Sequence, residues 1–123
     1  EVWCETRAVD QTDAGRGHWL FRDIDSTAEF HFANYEHVVE VPDQATALAT
    51  RGASPAVALD YGGNWVSAQF HPEMSAEAMA RSWLPDYPDR ARRYRPSPVA
   101  SQVLYNFLVH AGLTLPRATS HDR

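Results

Sequence analysis

The sequence predicts an α/β fold in which strands occupy roughly the first 70 residues and two helices follow. Residues 29–33 alternate polar and aromatic side chains, which is typical of a strand with one buried face. Apolar residues between Val99 and Ala111 recur instead at helical spacing. A chain of 123 residues with 44% hydrophobic content can bury one modest core, so we expect one domain at most.

The strands can be placed in order. Residues 2–9 alternate well enough for a first strand, and residues 10–17 form a long polar loop whose glycines favour mobility. Three strand candidates follow the one at 29–33, namely residues 46–50, 56–60 and 65–70. The two glycines between Tyr61 and Asn64 tolerate positive φ and predict a hairpin turn, so the last two strands are expected to be antiparallel neighbours.

Two helices are predicted after the strands. Ser75 is the expected N-cap of the first helix, which should run to about Trp83 and end before Pro85. The second helix should pack its apolar side on the sheet and end at Gly112 as a C-cap. Among the aromatic residues, the expected core members are Trp65, Phe70 and Phe107.

His71, Pro72 and Glu73 lie where the last predicted strand gives way to a turn. Alternate residues of an extended segment point the same way, and Pro72 keeps His71 extended because it disfavours the helical region for its predecessor. Glu73 can therefore accept a hydrogen bond from one ring nitrogen of His71 while the other faces a nucleophile, as in a catalytic triad. A tripeptide of this kind in isolation is more often a surface turn.

The longer segment Gln69-Phe-His-Pro-Glu73 resembles the closing motif of the class I (triad) glutamine amidotransferases. Five other segments resemble the family in the same order, namely residues 33–42, 45–50, 56–60, 74–83 and 103–108. The closest likeness is to stand-alone, GMP-synthase-like members. The resemblance implies an α/β, C-terminal part of a three-layer domain, with mixed sheet strands and two flanking helices, over residues 1–115. We expect residues 116–123 to form a disordered tail.

The resemblance also implies a function. In this family a His and a Glu serve a cysteine nucleophile that releases ammonia from glutamine, so His71 and Glu73 are the expected catalytic residues. Asn34 and Tyr35 lie where the family usually has a Ser-His-Gly-like turn lining the glutamine pocket, and they are expected to bind substrate. A plain turn is an equal alternative there, because Asn replaces the common His. No cofactor or metal is implied, and the expected partner is a synthase that accepts the ammonia.

The single cysteine departs from the family pattern. Cys4 has no flanking glycine, although the strained elbow that carries a nucleophile depends on glycines for clearance. Its bulky and β-branched neighbours predict an ordinary strand, so we interpret Cys4 as a buried or half-buried strand residue. The chain is then expected to be the C-terminal part of the domain, inactive by itself, with the nucleophile-bearing half absent or on another chain.

Two alternatives to the enzyme remain open at this stage. The chain can be a degenerate, non-catalytic amidotransferase-like module kept for binding or regulation. A weaker alternative is a small metal-binding protein that uses His31, His37 and His71, but these residues lack a recognisable zinc spacing. We therefore expect the histidines other than His71 to be solvated or at strand edges.

Composition excludes some classes of protein. The net charge of −5 argues against a general nucleic-acid binder, and no apolar run approaches the length of a membrane span. One cysteine excludes an internal disulfide framework and fits a reducing cytoplasm. Four arginines between positions 90 and 95 can dock an acidic partner or a phosphate, but such a run is more often a solvated loop neutralised by nearby aspartates.

Overall fold

The computed structural model describes residues 2–113, and the tail predicted at 116–123 lies outside the described residues. Six strands are present, namely β1 (Trp3–Ala8), β2 (Asp10–Gln11), β3 (Glu29–Asn34), β4 (Thr46–Arg51), β5 (Ser54–Gly62) and β6 (Trp65–Ala68). The helices are α1 (Asp13–Arg16), α2 (Ala76–Trp83), α3 (Pro88–Ala91) and α4 (Gln102–His110), with a 3-10 helix at Trp19–Phe21. The predicted α/β class is confirmed.

The strands form two sheets, and every strand pair within residues 2–113 is antiparallel. One sheet pairs β1 with β3, and its register places Thr6 opposite His31. The other sheet has the order β2-β4-β5-β6. The β5–β6 hairpin is as predicted, and Gly62 and Gly63 both adopt the positive φ that such a turn needs.

The core takes side chains from both sheets. Phe30 and Phe32 of β3 are fully buried and pack on Phe70, with ring centroids 4.3 and 6.1 Å away. Phe70 is therefore a core residue, as predicted, and Phe107 packs against the same cluster while partly buried. The prediction for Trp65 is wrong, because 72% of this residue is exposed. It starts β6, an edge strand with little burial, so periodicity did not reveal which side of the sheet it faces.

Residues 10–17 are not the long loop that their polarity predicts. Asp10–Gln11 pairs with β4, and α1 follows at once. The N-cap Thr12 accepts a hydrogen bond from the Gly15 N–H at 3.0 Å and donates one to the Ala47 carbonyl at 2.7 Å. This segment is therefore held against β4 by hydrogen bonds at both of its elements.

The two longer helices follow the sequence closely. Ser75 caps α2 by accepting a hydrogen bond from the Ala78 N–H, and α2 ends at Trp83 as predicted. Gly112 follows α4 with a φ of +75°, which suits the predicted C-cap. α4 packs chiefly on the 3-10 helix. The Asn106 side-chain amide donates there to the carbonyls of Leu20 and Arg22. α3 was not predicted, since a single turn between prolines carries no periodicity.

Candidate functional site

The backbone around His71 is held by both sheets. After β6 ends, the Gln69 N–H donates to the Val57 carbonyl of β5 at 2.8 Å. Two residues later the His71 N–H donates to the His31 carbonyl of β3, also at 2.8 Å. Phe70 lies between them with its ring in the core. The position of His71 is therefore fixed by the buried ring of Phe70 and by the hydrogen bonds that the N–H groups of Gln69 and His71 donate.

The side chains of His71 and Glu73 form the pair that the sequence predicts. Nδ1 of His71 lies 2.8 Å from Oε2 of Glu73. The side chains are 37% and 53% exposed, so the pair lies at the surface, where a reacting group can reach it. Pro72 has no N–H, and the Met74 N–H closes the turn on the His71 carbonyl at 3.4 Å.

The charge of Glu73 decides which nitrogen of His71 carries the proton. Partial burial acts to raise the pKa of Glu73, but the hydrogen bonds from His71 and from its own main chain, with the charge of His71, outweigh burial and hold the pKa below its ordinary value. An ionised carboxylate only accepts hydrogen bonds. Nδ1 of His71 therefore donates, and in the neutral ring Nε2 carries the lone pair and bonds no other group within residues 2–113.

A second histidine–carboxylate pair, which the sequence analysis missed, has different chemistry. Nε2 of His18 lies 2.8 Å from Oδ2 of Asp60, and the Leu20 N–H donates to Nδ1 of His18 at 3.1 Å. Because Nδ1 accepts, Nε2–H must be the donor to Asp60, and no lone pair is left to take a proton. His18 caps the 3-10 helix and cannot act as a base in this geometry.

The structure places Asn34 and Tyr35 at the far end of β3 from the site. His31, which contacts His71, lies three residues earlier, or about 10 Å along an extended strand. The side-chain oxygen of Asn34 is buried and has no hydrogen-bond partner within residues 2–113. Tyr35 is 62% exposed, and its hydroxyl accepts a hydrogen bond from Arg90 at 3.2 Å. Their predicted role in substrate binding stays a prediction.

Cys4 is a buried strand residue, as interpreted from the sequence. It is fully buried in β1, and Nη1 of Arg93 lies 3.3 Å from its sulfur. A thiol without solvent access is a poor nucleophile toward a substrate in solution.

The prediction that histidines other than His71 are solvated or at strand edges is wrong for His31. This residue is 1% exposed, because it lies in the middle of β3, with the core residues Phe30 and Phe32 beside it in sequence. His37 is half-buried and stacks on Trp3 with ring centroids 3.6 Å apart. Within residues 2–113, no group of three or more His, Cys, Asp and Glu side chains is arranged to hold a metal ion.

The arginines between positions 90 and 95 are engaged within the chain. The Arg90 guanidinium lies over the rings of Trp83 and Tyr87, at 4.8 and 4.2 Å from their centroids. Arg92 pairs with Asp89, and Nε of Arg95 donates to Glu29 at 2.9 Å. These contacts give the run a role in attaching α3 and the segment after it to the rest of the structure. No helix within the described residues is long and apolar enough to cross a membrane.

The chain is similar to known proteins in both sequence and fold. No protein-family model matches the chain. Over 65 residues, or 53% of the chain, it is 40% identical to the imidazole glycerol phosphate synthase subunit HisH of Pectobacterium atrosepticum. The crystal structure of SMU.1228c matches 88% of the chain with a TM-score of 0.72 and 18% identity, which shows a common fold. The matches span 32% of HisH and 51% of SMU.1228c, so both relatives extend well beyond the matched part.

Proposed function

The similarity to HisH, a class I glutamine amidotransferase, supports the assignment of this chain to that family, and from this premise we propose that His71 and Glu73 serve the release of ammonia from glutamine. The observation that carries the proposal is the 2.8 Å contact between Nδ1 of His71 and Oε2 of Glu73. It leaves Nε2 as the only ring nitrogen able to accept a proton. A base with a fixed tautomer and an exposed lone pair is what activation of a thiol requires.

The proposed reaction has two stages. A cysteine thiol gives its proton to Nε2 of His71, and the sulfur attacks the side-chain amide carbon of glutamine. The amide nitrogen leaves as ammonia with the proton from His71, and a glutamyl thioester remains. His71 then takes a proton from water, and the hydroxide attacks the thioester carbon. The C–S bond breaks as the sulfur takes the proton back from His71, which frees glutamate and restores the thiol. Glu73 stabilises the imidazolium in both stages.

The thiol must come from outside the described site. Cys4 is the only cysteine of the chain and is fully buried. We therefore propose that a nucleophile-bearing segment or chain completes the site beside His71. A synthase that uses the ammonia is the second proposed partner, since HisH itself is named as a synthase subunit. The chain has one cysteine and thus no internal disulfide, which is typical of proteins in a reducing compartment, so we propose a cytoplasmic location.

A first experiment separates this chain from the completed site. The chain by itself should release no ammonia from glutamine, and addition of the nucleophile-bearing partner should produce release. Cys4→Ser should leave the reconstituted activity unchanged, and His110→Ala serves as a histidine control because His110 lies on α4 outside the pair. Activity of the isolated chain that disappears in Cys4→Ser would make Cys4 the nucleophile and overturn the two-part site.

The alternative function is a non-catalytic amidotransferase-like binding module. The observation that favours it is the burial of the one thiol in the chain. This alternative predicts that no thiol-bearing partner restores ammonia release, while the chain still binds a synthase. The reconstitution assay therefore decides between the two functions.

A further inference from the structure

His31 lies directly behind the proposed catalytic pair. Its carbonyl accepts the hydrogen bond from the His71 N–H at 2.8 Å, so the two histidines are neighbours through the main chain. The His31 side chain is buried and lines a cavity of about 450 Å³ that Pro72 and Glu73 also border. A contact that fixes the position of His31 therefore also fixes the start of the turn that contains His71 and Glu73.

The His31 ring is held by a hydroxyl on the neighbouring strand. Nδ1 of His31 lies 2.9 Å from Oγ1 of Thr6, which faces it across the β1–β3 pair. Both groups are buried, at 1% and 3% exposure. A buried hydrogen bond of this kind contributes about 1 kcal/mol net, and removal of the Thr6 hydroxyl costs more because Nδ1 of His31 then loses its partner. The pair therefore resists separation of β1 from β3 at the residue that contacts His71.

The Thr6 hydroxyl is itself held by the segment after α3. The Arg95 N–H donates to Oγ1 of Thr6 at 2.9 Å, and the same hydroxyl lies 3.2 Å from the Arg95 carbonyl, to which it can donate. The Thr6 N–H donates to the Arg93 carbonyl at 3.2 Å. Arg95 also pairs with Glu29, the first residue of β3. Thr6 therefore ties β3 to a third segment of the chain in addition to β1.

Burial favours the neutral form of the His31 ring. Burial lowers the pKa of His31, opposed by the charge of Glu29 and assisted by the charge of His71. The ring of Tyr94 lies edge-to-face against His31, with its centroid 6.1 Å away, and burial raises the pKa of Tyr94 to about 12. A neutral ring at this position adds no positive charge beside His71 when His71 takes up a proton.

We propose that Thr6 and His31 are positioning residues, whose buried hydrogen bond holds the His71–Glu73 pair in its hydrogen-bonded geometry. The proposal rests on the proposed function for its effect on catalysis, because a His71 ring that leaves Glu73 is no longer held in the tautomer that can act as a base. Its structural part concerns only the geometry of the pair. It is therefore testable on the chain without any activity.

The test uses the ¹⁵N chemical shifts of the imidazole rings, which report which ring nitrogen carries the proton. At a pH high enough for the ring to be neutral, His71 of the unchanged chain should show the Nδ1–H form. Asn places a polar atom near the position of Nδ1, and Gln near that of Nε2. His31→Asn should therefore keep the His71 signature, whereas His31→Gln should lose it, with the signal moving toward the Nε2–H form preferred by an unconstrained ring.

Two further variants check the cause. Thr6→Val keeps the shape and the strand preference of the residue but removes the hydroxyl, and it should shift the His71 signal as His31→Gln does. Thr50→Val is the matched control on β4, where the hydroxyl donates to the Asp10 carbonyl at 3.5 Å, and it should change nothing at His71. If His31→Gln keeps the His71 signature and His31→Asn loses it, the proposed role of the Thr6–His31 hydrogen bond is refuted. An unchanged signature in both Thr6→Val and His31→Gln refutes the proposal as well.

The consequence for activity is measured separately in the reconstituted enzyme. Thr6→Val should lower kcat for ammonia release by roughly tenfold, because fewer molecules hold His71 in the productive tautomer, and should leave KM for glutamine nearly unchanged. A reconstituted enzyme with no glutaminase activity would refute the proposed function and leave the ¹⁵N result intact. A shifted ¹⁵N signature with unchanged kcat would refute the catalytic consequence of the positioning role.

Discussion

Two histidine–carboxylate pairs in one small structure show how the second ring nitrogen decides what a histidine can do. In His71, Nδ1 donates to Glu73 and Nε2 bonds no other group of the described chain. In His18, Nδ1 accepts from the main chain and Nε2 donates to Asp60, so both ring nitrogens are engaged in structural hydrogen bonds. The two contacts have the same length, 2.8 Å, and only the rest of the hydrogen-bond network separates a candidate base from a structural cap.

The His18–Asp60 pair should make a pH-dependent contribution to stability. The Gly62 N–H, and after it His18, donate to Asp60 and lower its pKa, opposed by partial burial. A lowered pKa contributes stability above the ordinary aspartate range that is lost as the pH falls through the folded-state pKa. Asp60→Asn should therefore cost about 1 kcal/mol in the free energy of unfolding at neutral pH. In urea titrations the gap to the unchanged chain should close below about pH 4. A gap that is constant from neutral to acid pH contradicts this role.

The distance along the chain explains why one pair was predicted and the other was not. His71 and Glu73 are two residues apart around a proline, so local geometry brings them together. His18 and Asp60 are 42 residues apart, and only the tertiary fold makes them neighbours. His31 was misplaced for a related reason, because a sequence gives no direct sign that Thr6 will face it.

At the scale of elements, α1 depends on its fit to β4. A Cβ atom added to Gly15 would lie 1.9 Å from the Leu48 carbonyl oxygen, a main-chain atom that cannot turn aside. The Thr12 N–H also donates to that carbonyl at 3.0 Å. Only glycine allows this approach, and the loop prediction failed here because the order of the segment comes from β4.

Gly15→Ala should therefore destabilise the protein by about 3 kcal/mol, since α1 must move off β4 to admit the methyl group. Gly17→Ala is the matched control, because nothing lies within 4 Å of its added Cβ and its φ is −101°. It should change the free energy of unfolding by no more than about 0.5 kcal/mol. Equal effects of the two substitutions in chemical denaturation would refute the close approach.

Elements whose signals are local were predicted well. The hairpin glycines, the Ser75 cap and Gly112 each act within a few residues, and each is found in its predicted role. The prediction that Trp65 is a core residue failed because alternation along a strand shows which residues share a face, but not which face is covered. α3 has only four residues, which are too few to show a helical period in the sequence.

At the scale of the whole molecule, the chain contains an oriented histidine but no accessible thiol. The 65-residue match to HisH covers about a third of that protein, and the match to SMU.1228c covers about half of its chain. The sequence motif indicated both the similarity to class I glutamine amidotransferases and the pairing of His71 with Glu73. We therefore propose that His71 is one part of a site that a thiol on another segment completes.

The most direct test of this account compares two nitrogen donors in the reconstituted enzyme with its synthase. His71→Ala should lower glutamine-dependent synthesis by about a thousandfold, because no other group can take the thiol proton, while synthesis from added ammonia is unchanged. Glu73→Gln should lower the glutamine-dependent rate by a smaller factor, since it only orients and stabilises the ring. Glutamine-dependent synthesis that survives His71→Ala at the unchanged rate would contradict the account and leave His71-Pro-Glu73 as a structural turn.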